Sequence, residues 1–297
     1  MDRAKKEEKK LKQDQYLAVD IGGTVVKYSL FHVSFEELEH GEEATEKEPK
    51  RFLEQIVAVA ERYRGRIAGI GICMAGFIDP VTGENQDFSV GENFRAWNLK
   101  EELSGRMGLP VVLENDSNCA ALGELAAGAG RGLSNLALLT IGTGVGGALV
   151  LDGRLIRGSH FKAGEAGLAL LGKEAGGTGY VSAEATSALV RSVSAVVGRQ
   201  IDGPYVFGHL EEPDIEAAYR KWLEPLALTT GNLAVMFDPE AVLIGGGICR
   251  QARFINDLRQ RVYTLFPHLG QYTRIEACRT GNLAGRIGVL KLLLAQI

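Results

Sequence analysis

Two aspartates stand where an apolar run gives way to small or amide residues. Asp20 closes Tyr16-Leu17-Ala18-Val19 and is followed by Ile21-Gly22-Gly23-Thr24; Asp116 follows Val111-Val112-Leu113-Glu114-Asn115 and opens Ser117-Asn118. A carboxylate at the carboxyl edge of a buried strand, at the mouth of a helix, is placed to take a proton from an acceptor hydroxyl. Asp116 is the best candidate for that base, and its bland counterpart is a helix N-cap. Asp20 is the candidate anchor for Mg²⁺, through water, because Mg²⁺ binds few carboxylates and keeps most of its waters.

Around these acids lie three places where an apolar strand runs into glycines: Gly22-Gly23-Thr24, Gly142-Thr143-Gly144 and Gly245-Gly246-Gly247. Small residues at a strand end expose backbone N–H groups and let another molecule's oxygens come close. Three such junctions in one chain suggest a nucleotide held between two lobes, with a loop for each part. The second loop also satisfies Gly-x-Gly-x-x-Gly through Gly147. That fingerprint needs a helix after the glycines, whereas Ala148-Leu149-Val150-Leu151 and a hairpin turn at Asp152-Gly153 follow here. A phosphate-cradling hairpin and a merely structural turn stay open, and Thr143 between its glycines favours phosphate. No Walker-type Gly-x-x-x-x-Gly-Lys-Ser/Thr occurs. Glu165 and Glu184 could accept hydrogen bonds from sugar hydroxyls, or be surface or cap carboxylates. Trp97 and Trp222 read as packing residues, and His160 as a solvated or structural histidine.

The elements that must position these groups alternate strand and helix. Strands are expected at Tyr16–Ile21, Val25–His32, Ile67–Cys73, Val111–Glu114, Leu136–Ile141, Ala148–Leu151 and in the run Ala241–Ile244. The first two are expected to form a hairpin. Helices are expected at Pro49–Tyr63, Ala120–Ala127, Ala183–Val197, Asp214–Met236, Arg250–Tyr263 and Arg286–Gln296, with Asn115-Asp116-Ser117-Asn118 as an N-cap cluster. The class is α/β. The repeated strand–glycine openings at Tyr16 and Leu136 hint at two related lobes.

Composition excludes several alternatives. The chain has 297 residues, 45% hydrophobic and 24% charged, with a formal net charge of −4. It should bury roughly 75% of its unfolded surface, and a charge-driven grip on nucleic acid or an anionic membrane is not expected. No apolar run approaches the ~20 residues that span a bilayer. Met1–Gln15 is a charged tail, too short for a helix-turn-helix domain and without the apolar stretch of a secretory signal. Cys73, Cys119, Cys249 and Cys278 lie far apart, which fits reduced thiols in a cytoplasm better than a disulfide framework.

From Leu17 to Ile287 the motifs resemble, in order, those of the ROK family of sugar kinases. Asp20-x-Gly22-Gly23-Thr24 resembles its first phosphate loop. Gly69-x-Gly71 through Gly76-x-x-Asp79 resembles its substrate loop, and Asn93-Phe94-x-x-Trp97 the segment after it. Glu114-Asn115-Asp116-x-Asn118-x-Ala120-Ala121-Leu122-Gly123-Glu124 is close to the catalytic signature. Gly142-Thr143-Gly144-Val145-Gly146-Gly147 resembles the second phosphate loop, Gly164-Glu165-x-Gly167 the sugar-binding signature, and Asp238-Pro239-Glu240 through Gly245-Gly246-Gly247 the adenosine segment.

The resemblance implies a two-lobed actin/hexokinase-like, ribonuclease H-like fold with nucleotide and sugar in the interlobe cleft. The expected small lobe is 16–117 plus 283–297, and the large lobe 118–282. It implies ATP and Mg²⁺ as cofactors, Asp116 as the base that deprotonates a sugar hydroxyl, most simply O6, and Gly76, Asn93, Asn115, Glu165 and Glu184 as sugar contacts. A small-molecule sugar partner and a homodimer follow from the same source, with no nucleic-acid or membrane partner. A catalytically silent sugar-binding or regulatory member is the alternative reading.

Departures from the family pattern bear on specificity. Leu168 stands where many members carry a histidine that touches the sugar and ligates zinc, and no cysteine lies between Cys119 and Cys249. No zinc site is therefore expected, and a more apolar wall there would admit a β-linked aglycone or an acetamido group. Ala75 replaces a common proline. Glucose-type hexoses, N-acetylmannosamine and β-glucosides all stay open as substrates.

Overall fold

The structure is a computed structural model that describes residues 14–87, 90–170 and 179–297. The charged tail expected at 1–15 lies outside the described residues except for Asp14 and Gln15. The chain divides into two compact units. The first comprises the described residues up to Gly128 together with Gly158–Lys162 and Asn282–Ile297, and the second comprises Ala129–Arg157 and Ala163–Gly281.

Unit 1 is built on a five-stranded sheet in the order β3-β2-β1-β4-β5. Strands β1 (Gln15–Ile21) and β2 (Val25–His32) form the expected hairpin, with Ile21 opposite Val26. Strands β4 (Ile70–Met74) and β5 (Val111–Asn115) run parallel to β1. Both are buried along their whole length, as parallel strands covered on two faces must be. Helix α1 (Pro49–Glu61) starts where Glu48 accepts hydrogen bonds from the Lys50 and Arg51 N–H groups, and it buries Phe52, Ile56 and Val59. Each such side chain contributes about 1.5–3 kcal/mol of transfer free energy.

Two elements of this unit go beyond the sequence reading. Strand β3 (Glu37–Ala44) is a charge-rich edge strand, and helix α2 (Leu99–Met107) buries only Leu99, Leu103 and Met107. An edge strand is held by backbone pairing to β2 and needs no apolar alternation, while its charges guard the open edge.

Helix α3 (Asp116–Ala127) leaves β5 without a loop. It begins four residues before the expected Ala120, because Asn115 itself is the cap: its Oδ1 accepts the Asn118 N–H at 3.0 Å. Against α3 lies the C-terminal helix α8 (Ala284–Leu294). This contact is closed by glycines. A Cβ on Gly288 would overlap the Cys119 carbonyl, and one on Gly123 would overlap that of Ala284.

Unit 2 has a second five-stranded sheet, in the order β10-β9-β6-β7-β8. Strands β6 (Leu136–Ile141) and β7 (Val145–Leu151) form an antiparallel hairpin, β8 (Arg154–Leu155) pairs with β7, and β9 (Ala241–Gly245) runs parallel to β6. The core is completed by helices α4 (Thr186–Val197), α5 (Gly203–Gly208), α6 (Pro213–Phe237) and α7 (Ala252–Leu265). The helix expected at Ala183–Val197 breaks at Ala185, whose ψ of 160 separates a 3-10 turn, Val181–Glu184, from α4. Strand β10 (Arg274–Ala277), short and with one buried residue, escaped the sequence reading. Trp222 is 3% exposed among Tyr219 and Phe254, a packing residue as expected. No helix among the described residues is long and apolar enough to cross a membrane.

Candidate active site

In unit 1 the parallel register aligns the acidic residues. Asp20 pairs with Cys73, and Cys73 with Glu114, so the three stand side by side at the carboxyl ends of β1, β4 and β5. Ligands of open α/β sheets bind at that end. Asp116 follows two residues beyond Glu114, in the first turn of α3.

The Glu114–Asn118 segment is a set of interlocked hydrogen bonds. Buried Glu114 accepts from the Asn115 N–H and from Asn118 Nδ2, both at 2.9 Å. Asn115 donates through Nδ2 to the Gly76 carbonyl at 3.0 Å while capping α3. Asp116 is thereby freed from capping. Its Oδ1 accepts only locally, from the Ser117 N–H at 2.7 Å, and the residue is exposed to solvent.

Dense protein on one side and water on the other describes the Asp116 carboxyl. Desolvation from the protein side pushes it above the ordinary aspartate range, against the opposing Ser117 hydrogen bonds. Asp20 is also pushed up, first by burial and then by the negative charge of Asp116; Arg286, Lys27 and a hydrogen bond with Cys73 pull it back. The negative charge of Asp116 thus makes an ionised Asp20 less favourable, and a cation beside Asp20 would relieve that repulsion. The donor set therefore fits Mg²⁺ held by one carboxylate and waters. Among the described residues no group of three or more His, Cys, Asp or Glu is placed to hold a metal by itself.

The first glycine loop is supported from below. Thr45 donates through Oγ1 to the Gly22 carbonyl at 2.7 Å and through its N–H to the Thr24 carbonyl at 2.9 Å. Lys47 donates to the Gly23 carbonyl. Between them, the Glu46 carbonyl accepts from Asn93 Nδ2 at 3.0 Å, which ties buried Asn93 to the same segment. Thr45 and Lys47 were not legible in the sequence, because the end of an unrecognised edge strand delivers them. Thr45→Val should loosen the loop and raise KM for the nucleotide about fivefold, one lost hydrogen bond being worth ~1 kcal/mol. Initial rates at fixed sugar would measure it; an unchanged KM would deny Thr45 this role.

Gly76 has φ +118, and a Cβ there would overlap the Asn85 amide, which is held by the Ala75 carbonyl at 3.0 Å. Only glycine fits this turn.

In unit 2 the hairpin residues Gly142, Thr143 and Gly144 join β6 to β7 directly, so no helix N-terminus follows them. At Gly23, Gly142, Gly144 and Gly247 an added Cβ would meet nothing within 4 Å, and none has a left-handed φ. The protein's own packing does not call for glycine there, while a ligand that approaches the backbone would. Gly246 differs: its φ is +91 and a Cβ would overlap the Ile141 carbonyl.

Glu165 precedes a 3-10 turn, Ala166–Leu168, and Glu184 ends the turn Val181–Glu184. The two segments are joined by the Val181 N–H to the Ala169 carbonyl at 3.0 Å, and a Leu170–Tyr180 bridge. Gly167 allows this layer to lie on β7, since a Cβ would overlap the Val145 carbonyl. Trp222 Nε1 fixes the Glu184 carbonyl at 2.9 Å. Beside Glu165, Leu168 is 52% exposed, Leu170 58% and Tyr180 42%. His160 is exposed in a turn. Thus Asp116, Asp20, the first loop, Gly76, Asn93 and Asn115 belong to unit 1, and the other two loops with Glu165 and Glu184 to unit 2.

Comparison with known proteins matches residues 16–296 to the model of the ROK family. A beta-glucoside kinase of Listeria innocua is 32% identical over 293 residues, covering 92% of this chain and 95% of that protein. Among solved structures, the Lmo2764 protein of Listeria monocytogenes superposes with a TM-score of 0.87 at 28% identity, covering 95% of this chain and 99% of that one. A ROK glucokinase of Streptomyces griseus, in complex with glucose and AMPPNP, gives 0.78 at 27% identity, with 94% and 98% covered.

Proposed function

The chain belongs to the ROK family and is a sugar kinase with the actin/hexokinase-like fold, and from that premise we propose that it transfers the γ-phosphoryl group of MgATP to the O6 hydroxyl of a glucose-type hexose, β-glucosides included. The observation that carries this reading is Asp116: a carboxylate at a parallel-strand end, relieved of capping by Asn115, open to solvent and held above its ordinary pKa. Bound MgATP supplies the transferable group and neutralises its charge.

The chain's own residues do the rest. Asp116 accepts the hydroxyl proton and fixes the nucleophilic oxygen in line. Asn93, Asn115 and the Gly76 backbone orient the sugar, and Glu165 and Glu184 accept hydrogen bonds from its hydroxyls. Asn115 keeps one amide hydrogen for this, since the other goes to Gly76. Gly22, Gly23 and Thr24, with Gly142, Thr143 and Gly144, present backbone N–H groups to phosphate oxygens, Gly245–Gly247 receive the adenosine, and Asp20 orders the metal's waters. None of the four cysteines is held in a disulfide, which supports a reducing cytoplasm as its place of work.

The β-glucoside preference rests on the exposed apolar surface of Leu168, whose N–H bonds the Glu165 carbonyl, and of the bridged pair Leu170 and Tyr180. A polar anomeric hydroxyl gains nothing there, whereas an aglycone would bury apolar area. The name of the Listeria innocua relative supports the same class.

The deciding experiment is ADP release with MgATP across glucose, N-acetylmannosamine, N-acetylglucosamine, mannose, cellobiose and an aryl β-glucoside. A kcat/KM for a β-glucoside at least tenfold above glucose is expected. Preference for N-acetylmannosamine would reassign the apolar wall to an acetamido group. Sugar binding without ADP release from any acceptor would leave a silent, regulatory member.

The raised carboxyls set the pH dependence. The base works deprotonated, so kcat/KM should fall as pH drops through the folded pKa of Asp116, and that limb should lie above the range where free aspartate titrates. A pH–rate profile whose acid limb coincides with free aspartate would refute a desolvated base.

A further inference from the structure

We propose that unit 2 carries a second, cationic binding site for a small phosphate-bearing molecule, in the groove between helix α7 and edge strand β10. The groove is open to solvent and has a volume of about 470 Å³, within the range of small-ligand sites, which begins at ~300 Å³. Its lining brings three guanidinium groups, those of Arg250, Arg259 and Arg279, against the single carboxylate of Glu276. That carboxylate is already shared between Arg274 at 3.2 Å and Arg279 at 3.5 Å. The groove thus holds two positive charges more than its own acid balances.

Arg259 is fixed for the purpose. Its Nε donates to the Ile275 carbonyl at 2.8 Å and its Nη1 to Asn256 Oδ1 at 3.2 Å, which leaves Nη2 for an incoming acceptor. Arginine presents a planar fork that matches two oxygens of a phosphate, and a phosphate dianion neutralises the excess of two charges. A neutral sugar or a cation finds no such match.

The position of the groove gives the site a consequence. Cys249 and Arg250 belong to the 3-10 turn Gly247–Arg250 that directly follows the Gly245–Gly247 loop. Cys278, on the opposite wall, has its Sγ 3.4 Å from where a Cβ on Gly245 would stand. An occupant therefore presses on both sides of this loop, and by linkage it changes nucleotide affinity as much as nucleotide changes its own. This regulatory part rests on reading Gly245–Gly247 as the adenosine loop; the anion site itself does not.

Inorganic pyrophosphate is the probe, titrated calorimetrically into the whole chain without Mg²⁺ and with AMPPNP present to occupy the glycine loops. The test variant is Arg250→Gln with Arg279→Gln, both exposed side chains whose replacement keeps shape and removes charge. Sub-millimolar binding to the wild-type chain, weakened at least tenfold in the variant, is expected, with unchanged melting temperature and with kcat on the preferred sugar within twofold. Equal affinity for both chains, or no binding of pyrophosphate below 10 mM, would overturn the site. Pyrophosphate binding that persists while AMPPNP affinity does not move would remove its regulatory part. If no sugar is phosphorylated at all, the kinase mechanism fails, while charge-dependent binding would still establish the groove.

Discussion

Asp116→Asn should lower kcat by about a thousandfold, the magnitude that a positioned general base supplies, while leaving KM for both substrates within a few fold. The asparagine Oδ1 can still accept the Ser117 N–H at the same place, and the Asn115 cap on α3 is untouched. The loss would therefore be chemical and not a consequence of disorder. The same substitution should raise the melting temperature at neutral pH. A carboxyl whose folded pKa lies above its unfolded value favours the folded state fully at acid pH and loses that contribution as pH rises through the folded pKa. Removing it also relieves Asp20, whose own pKa is raised by the Asp116 charge. Asparagine should thus stabilise the protein above that pH and flatten the dependence. Rapid-quench turnover and melting curves from acid to neutral pH would measure both effects. A variant that keeps wild-type kcat cannot have lost its base, and one that melts earlier at neutral pH would mean the carboxylate is not desolvated.

Gly288→Ala should destabilise the protein by about 2 kcal/mol, although alanine is the better helix former. Replacing glycine inside a helix gains about 1 kcal/mol in propensity. Here the new Cβ would overlap the Cys119 carbonyl of α3, a backbone atom that cannot step aside. Separating two packed helices costs up to about 3 kcal/mol, so overpacking wins. For a chain of this size the melting temperature should fall by about 3 °C. Since α3 carries Asp116, kcat should drop with it. Gly105→Ala, in α2 where nothing lies within 4 Å and φ is not left-handed, is the matched control and should stabilise by about 1 kcal/mol. Equal responses at the two positions would show that the α3–α8 contact has slack.

Much of the framework was legible from residue pattern because it depends on local chemistry. The parallel strands of unit 1 are continuous apolar runs, the β1–β2 hairpin is announced by Gly22-Gly23, and Asn115 offers a cap immediately after β5. What escaped was held by partners distant in sequence. Strand β3 carries no apolar alternation and exists because β2 offers it a backbone edge. Its far end brings Thr45 and Lys47 under Gly22 and Gly23, twenty-three and twenty-four residues away.

By itself the sequence determined the family, the α/β class, the glycine junctions and the identity of the acids, because each is written in a short contiguous stretch. Only the tertiary structure tied the side chain of Asn115 to the Gly76 carbonyl, thirty-nine residues away. It alone brought Asp20, Cys73 and Glu114 into one row through parallel register, and three arginines into one groove between α7 and β10. The physical reason is common to all three. Strand pairing and helix packing set distances between residues far apart in the chain, and both pKa and charge balance depend on those distances.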